Sequence, residues 1–560
     1  MGIFANPLTD LLEYEDFSRD FLKGTDPVGM TGCIDSEKGH FMSTFLGEKK
    51  VQLVVTYNEQ RAREIEEDYK LFCSQVYVIP PRDLIFFSAD LQGNAIIAER
   101  MKAFAALYQN EAKVIITTMD ALMSAAVPFE QLMSHVIKLK EGDELDLEKL
   151  KHDLTVMGYE RVGRVEEPGQ FTVHGGIADV YPLTMEVPVR IELWGDEIDT
   201  IRCFEPQSQR SMDQIECVSV FPAAEVIADD TARRRAAGMI QNELKSQLAV
   251  FKKAKEPDKA KRLREETNRI LEALGEDVVL EAPDSYISYF YPRTVQLSEY
   301  FDEKNTLVFL EEPMRLKERG DGVQAEFEES MKNRLEQGFL LPGQTALLTP
   351  AKHVLAAFER GQVAALSSLD SRLADFTVVN SYAVNVQNMN TYREGFELLI
   401  KDLTHWKKEK YRIVLLCPSR TRANRIVNQL IEYDLLAYYS EDEDKKINPG
   451  EIMVTYGNLH RGFLYPMLKF AVITESDIFG VKKKKKEKKS HYQGQRISDF
   501  AQLKPGDYVV HENYGLGIYR GTERQIVDKV TKDYIKIEYG DGGKLYFPVT
   551  QLHMIQKYAD

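Results

Sequence analysis

Residues 32–39 read GCIDSEKG and set Gly32 and Lys38 at the spacing of a phosphate-cradling loop, G-x-x-x-x-G-K-[ST]. In such a loop the second glycine lets backbone amides close on the phosphates, and the hydroxyl residue holds magnesium. Here Glu37 stands in place of that glycine and Gly39 in place of the hydroxyl. A carboxylate at that point repels polyphosphate, and a metal ligand is missing. Residues 307–313, LVFLEEP, have the hydrophobic-strand form of a Walker B segment, with Glu311-Glu312 where Asp-Glu is usual. Chance also supplies a Gly and a Lys at this spacing, and strands often end in exposed acids. Both readings predict the same chemistry: an inactive nucleotide site, no ATP hydrolysis and no cofactor. No Ser/His/Asp grouping has interpretable spacing. The five cysteines, Cys33, Cys73, Cys203, Cys217 and Cys417, are scattered without CxxC or Cys/His ligand spacing. That pattern predicts a reduced cytoplasmic protein with no metal site and no catalytic residue.

A second kind of chemistry, recognition, is concentrated in residues 161–211. Short strands are expected over 171–173 and 177–181, then a hairpin over 189–204 turning at Gly195-Asp196. Val189, Ile191 and Leu193 alternate with Arg190, Glu192 and Trp194, so the aliphatics face one side and the Arg-Glu-Trp set the other. Trp and Arg dominate protein–protein hot spots. Covering a neighbouring domain of the same chain is the other use open to Trp194.

The elements that must position these residues fall into several units, as 560 residues exceed one core. Continuous apolar strands separated by helices predict a parallel α/β sheet over 1–155, with Asn58 and Asp120 as helix N-caps. A mostly-β insert is expected over 156–222. Residues 223–370 carry charged helices of mixed sign, read as solvated faces, and then the rest of the first lobe. A second α/β unit is expected over 371–480, with strands at 376–379, 413–417, 452–455 and 470–474. A lysine-rich linker follows over 481–497. Its Lys482, Lys483, Lys484, Lys485 and Lys486 predict a solvated tether with weak nonspecific DNA affinity. Residues 498–560, with short strands and glycine turns, predict a small bent antiparallel barrel of the SH3/Tudor type. No apolar run approaches a membrane span and no signal peptide is apparent. The formal net charge of −16 argues for protein partners over a dedicated nucleic-acid role.

The wording of three segments resembles a family. VEEPGQF, GGIADVYP, RIELWGDEID and SQRS resemble the UvrA-interaction domain shared by the excision-repair subunit UvrB and the transcription-repair coupling factors. SRTRANRI and LHRGF…FAVITESDIFG resemble the third domain of the coupling factors, and GDYVVHENYGLGIYRG with KLYFPV resembles their RNA polymerase interaction domain and CarD-type regulators. The resemblance implies a UvrB-like lobe of degenerate P-loop helicase type, a second vestigial lobe, and a CarD-like module. It implies UvrA binding through His174, Arg190 and Trp194; the family commonly carries Arg where His174 stands. It also implies binding of the polymerase β subunit through Tyr519, Thr522, Gln525 and Ile526, by position. The family continues into an ATP- and magnesium-dependent translocase motor, and no intact phosphate loop occurs in these residues. The reading is therefore the N-terminal, monomeric adaptor part of a coupling factor. Two alternatives are an ATP-dependent UvrB-like excision-repair enzyme and a CarD-like transcription regulator. For the last module alone, a barrel binding proline-rich peptide or RNA also stands.

Overall fold

The fold is described from a computed structural model covering residues 4, 7–48, 50–82, 90–275, 280, 283–370, 376–392, 395–442, 445–480, 494–496, 506–511, 515–527, 530–538, 544–548 and 555–558. The chain is mixed α/β with several sheets. The first lobe is a seven-stranded sheet in the order Asn380–Ala383, Val28–Thr31, Val363–Ser367, Thr306–Glu311, Val51–Thr56, Val114–Thr118, Val76–Ile79. Every neighbouring pair is parallel. Val114–Thr118 and Thr306–Glu311 are buried along their whole length, as strands covered by helices on both faces must be.

Local chemistry sets the helix starts. The Asn58 carboxamide accepts from Arg61 N at 2.8 Å, so the expected cap is in place. At the next helix the expectation fails: Thr118, not Asp120, caps Met119–Met123, accepting from Ala121 N at 3.3 Å. Asp120 lies inside the first turn and accepts from Arg319 Nε at 3.0 Å. The strand expected at 376–379 lies instead at Asn380–Ala383 and pairs with Val28–Thr31, so it closes the first sheet and does not open the second unit. Its polar, mostly exposed residues suit an edge position.

The insert is a six-stranded sheet in the order Ser211–Gln214, Glu197–Phe204, Val189–Trp194, Ile177–Val180, Gln170–His174, Glu160–Arg161. Its core joins Leu139, Leu150 and Leu154 to Phe171, Val189, Ile191 and Val218. The unit thus draws on residues upstream of 156, through strand Ile137–Lys140 paired with Cys217–Val220. The charged helices are Asp230–Lys253 and Pro257–Gly275, an antiparallel hairpin that buries Ile240, Leu244 and Phe251 with Leu263, Ile270 and Leu274.

The second lobe is a six-stranded sheet with Arg412–Cys417 flanked by Phe470–Thr474 and Ile452–Tyr456. One face carries Leu399, Leu403, Trp406, Ile426 and Leu430. From the other face Leu416, Met453, Phe463, Tyr465 and Val472 enter one hydrophobic cluster with Met30, Phe41, Ile65 and Tyr69 of the first lobe. The lobes share a core. The C-terminal strands Gly494–Arg496, Ile555–Tyr558, Tyr508–His511, Gly515–Val527, Val530–Glu538 and Lys544–Pro548 form a single antiparallel sheet in that order. The lysine run at 482–486 lies outside the described residues.

Candidate functional site

The phosphate-loop-like segment lies where the two lobes meet. Gly32 has φ +81°, and a Cβ there would sit 1.9 Å from Val384 O, so only glycine fits. The helix that follows, Asp35–Ser43, is buried from Ser36 to Ser43. Lys38 Nζ lies 2.7 Å from Glu312 Oε1, 3.3 Å from Glu311 Oε1 and 3.1 Å from Asp35 Oδ1. Glu311 also accepts from Arg61 Nε at 2.8 Å and from the Thr56 hydroxyl at 2.6 Å. Burial alone would raise the Glu311 carboxyl, yet Lys38 and Arg61 hold it below its ordinary value. Burial likewise opposes the Lys38 ammonium, and its carboxylates more than restore it. The lysine is an internal counter-ion.

Glu37 completes the closure. Its Oε1 accepts from the Tyr465 hydroxyl at 2.6 Å, while its Oε2 is buried without a hydrogen-bond partner. Burial pushes this carboxyl up to about 7. His40, one turn on, places Nδ1 3.2 Å from the same hydroxyl and Nε2 2.8 Å from Phe4 O, and burial lowers its pKa to about 4. Gly39 faces helix Glu59–Tyr69, where an added Cβ would lie 3.2 Å from Asp68 Cβ. The structure therefore brings Gly32, Glu37, Lys38, Gly39, Glu311 and Glu312 into one neighbourhood. It adds three groups the spacing did not reveal, Asp35, Arg61 and Tyr465. Arg61 and Tyr465 are distant in sequence and carry no motif.

The insert presents the other site. Register aligns Thr172, Asp179, Arg190, Arg202 and Gln214 in one row across the sheet, and His174, Ile177, Glu192 and Thr200 in the next. Trp194 is 84% exposed, and Ile177, diagonal to it, is 40% exposed. His174 is exposed, its Nε2 2.9 Å from Thr172 Oγ1. Arg190 is not a free cation. Nε and one terminal nitrogen each lie 2.8 Å from an Asp179 carboxylate oxygen, and the guanidinium sits 4.8 Å over the Phe204 ring. Asp179, which sequence reading missed, was accessible through the alternation of GGIADVYP. The other docking set divides. Tyr519 is only 4% exposed, so its side chain packs inside the module and cannot serve as the outer contact expected of it. Thr522, Gln525 and Ile526 lie on strand Gly515–Val527 opposite Ile535, Lys532 and Thr531, and their side chains are outside the described residues.

Comparison with known families matches three segments of the chain. Residues 137–225 match the UvrB interaction domain, including the upstream strand that the core requires. Residues 405–478 match the D3 domain of Mfd, and residues 503–559 the CarD-like/TRCF RID domain. Three separate segments thus match domain models whose descriptions name UvrB, Mfd and TRCF. It is 30% identical to the transcription-repair-coupling factor of Bacillus subtilis (strain 168) over 99% of its own length and 47% of that protein's. With the factor of Staphylococcus epidermidis it shares 29% identity over its whole length and 47% of the relative's. The chain spans about half the length of these coupling factors. Among the described residues no helix is long and apolar enough to cross a membrane.

Proposed function

We propose that this chain is the two-ended adaptor of transcription-coupled excision repair, holding UvrA on the outer face of the insert and the RNA polymerase β subunit on the C-terminal module. The observation that carries this reading is the bare indole of Trp194 on a UvrB interaction domain whose inner face is fully packed. Isolated large aromatics on an otherwise polar sheet face act as anchors for partners. The first lobe is read as UvrB-like, and the C-terminal sheet as a Tudor-type barrel that meets β through its long strand. The adaptor works as a cytoplasmic monomer, and the lysine run adds weak DNA contact. It uses no nucleotide: Lys38 is held by the carboxylates of Asp35, Glu311 and Glu312, and Glu37 occupies the place of the glycine that would admit phosphate. These two features disfavour the UvrB-like ATPase.

Capture of this chain on immobilised UvrA tests the reading, with Trp194→Ala as the informative variant. Affinity is expected to fall at least about tenfold with an unchanged melting curve, since the residue supports nothing inside the fold. Wild-type affinity in Trp194→Ala would refute the anchor. Retention of an isolated β-subunit fragment tests the other end, and titration with labelled ATP is expected to show no saturable binding.

A further inference from the structure

The helical hairpin of the first lobe has a sign asymmetry that its overall composition hides. Between Lys252 and Arg264 the sequence carries seven Lys or Arg against Glu256 and Asp258, in a chain whose net charge is −16. Backbone hydrogen bonds close the turn at this end. Lys255 adopts φ +58°, its N–H reaches Lys252 O at 3.2 Å, and Glu256 N reaches Phe251 O at 3.0 Å. Phe251 and Leu263 are buried beneath it.

Three of the seven cations are already engaged. Arg262 lies 4.5 Å over the Phe339 ring and donates to Gln337 O at 2.8 Å, Lys259 pairs with Glu256 at 2.8 Å, and Lys261 stands 3.8 Å from Glu265. Lys252, Lys253, Lys255 and Arg264 are exposed and form no ion pair among the described residues. Favourable interaction with the helix dipole accounts for Lys252 and Lys253 at the end of the first helix. It does not account for Arg264, in the second turn of the next one.

We propose that this hairpin end is a docking site for the phosphate backbone of duplex DNA, separate from both protein-docking modules. Four exposed cations without an ion pair among the described residues, on the hairpin turn and the helices it joins, suit a polyanion whose charges repeat regularly, and such contact is sequence-independent. The hydrophobic make-up of the end selects the source of the phosphate. Its exposed aromatic, Phe339, already has the Arg262 guanidinium over its ring at 4.5 Å, where an unpaired base would have to stack. Among the described residues its large exposed hydrophobics are Val250 and the Arg262-covered Phe339, too little apolar surface to insert into a lipid headgroup layer.

The test is fluorescence anisotropy of the full chain with a short labelled duplex across a salt series. The variants are Lys252→Glu/Lys253→Glu/Lys255→Glu/Arg264→Glu and, separately, glutamine at Lys482, Lys483, Lys484, Lys485 and Lys486. The hairpin variant is expected to lose at least about tenfold in affinity at low salt. Its slope of log affinity against log salt should be shallower by roughly 3–4, near one for each lost phosphate contact. The same loss is expected in the glutamine-linker background. Wild-type affinity and slope in the hairpin variant would overturn the proposal, as would no duplex binding by the wild type at low salt. Tighter binding to single strands or to phosphatidylserine vesicles would also overturn it. Unchanged circular dichroism melts control for folding, and a four-fold glutamine set replaces the glutamates if the melt shifts.

Discussion

Lys38 illustrates how a functional residue type becomes a structural one. Its ammonium is fully buried between Glu311 and Glu312, so Lys38→Met leaves carboxylates in the interior with fewer partners. Loss of about 3–5 kcal/mol is expected in urea unfolding, with no change in any nucleotide assay. The neighbouring pair makes stability depend on pH in opposite senses. Glu37, at about 7 when folded against an ordinary 4.5, keeps its proton where the unfolded chain has lost it. Its contribution is complete below pH 4.5 and is lost as pH rises to about 7. His40, at about 4 against 6.5, contributes fully above pH 6.5 and loses that contribution as pH falls through 4. Glu37→Gln is therefore expected to gain on wild type as pH rises from 4.5 to 7, measured by urea midpoints across that range. An unchanged difference across the series would show that Glu37 is already ionised in the fold. The motif letters alone gave the departures at Glu37 and Gly39 from a phosphate loop. They could not show that the Tyr465 hydroxyl, from the other lobe, donates to Glu37.

Among the elements, the insert was the most legible, because its hairpin states its own register. Alternation assigned Arg190, Glu192 and Trp194 to one face, and the burial of Val189 and Ile191 agrees. It could not separate the roles of Arg190 and Trp194. Arg190 is locked to Asp179, which is itself buried, so Arg190→Ala strands a carboxylate and is expected to cost about 1–3 kcal/mol before any partner is considered. Thermal melting of Arg190→Ala beside Trp194→Ala separates the two, with only the former shifted. Boundaries were less legible. Strand Asn380–Ala383 is polar and carries no periodic signal, so only its pairing with Val28–Thr31 reveals its lobe. Helix packing gives a further expectation. A Cβ at Gly320 would lie 2.6 Å from Ala351 Cβ and 3.1 Å from Met119 Cε, where helix Pro313–Glu336 crosses two short helices. Gly320→Ala should destabilise by about 1–3 kcal/mol through overpacking, read from the urea midpoint.

Across the whole chain the decisive feature is the core shared by the two α/β lobes. Its polar rim includes His460, whose imidazole Nδ1 lies 2.5 Å from Asp68 Oδ2 and whose backbone N–H donates to Asp68 Oδ1 at 2.8 Å. Burial opposes charge on that imidazole, but Asp68 prevails and raises its pKa. The stability from this contact is complete below the ordinary 6.5 and is lost as pH rises through the higher folded value. The lobes are expected to unfold together, with calorimetric and circular dichroism transitions coinciding for residues 1–480. Two separated transitions would show that the shared cluster does not couple them. Two domains could be listed from sequence, but their fusion could not, since it depends on which sheet faces meet.

The chain has two tryptophans, Trp194 in water and Trp406 almost wholly enclosed. Nature has thereby installed an unlabelled optical gauge. Capping by any partner should shift the emission of the solvated indole to the blue while the enclosed one stays silent, so engagement can be followed in real time on the unmodified polypeptide.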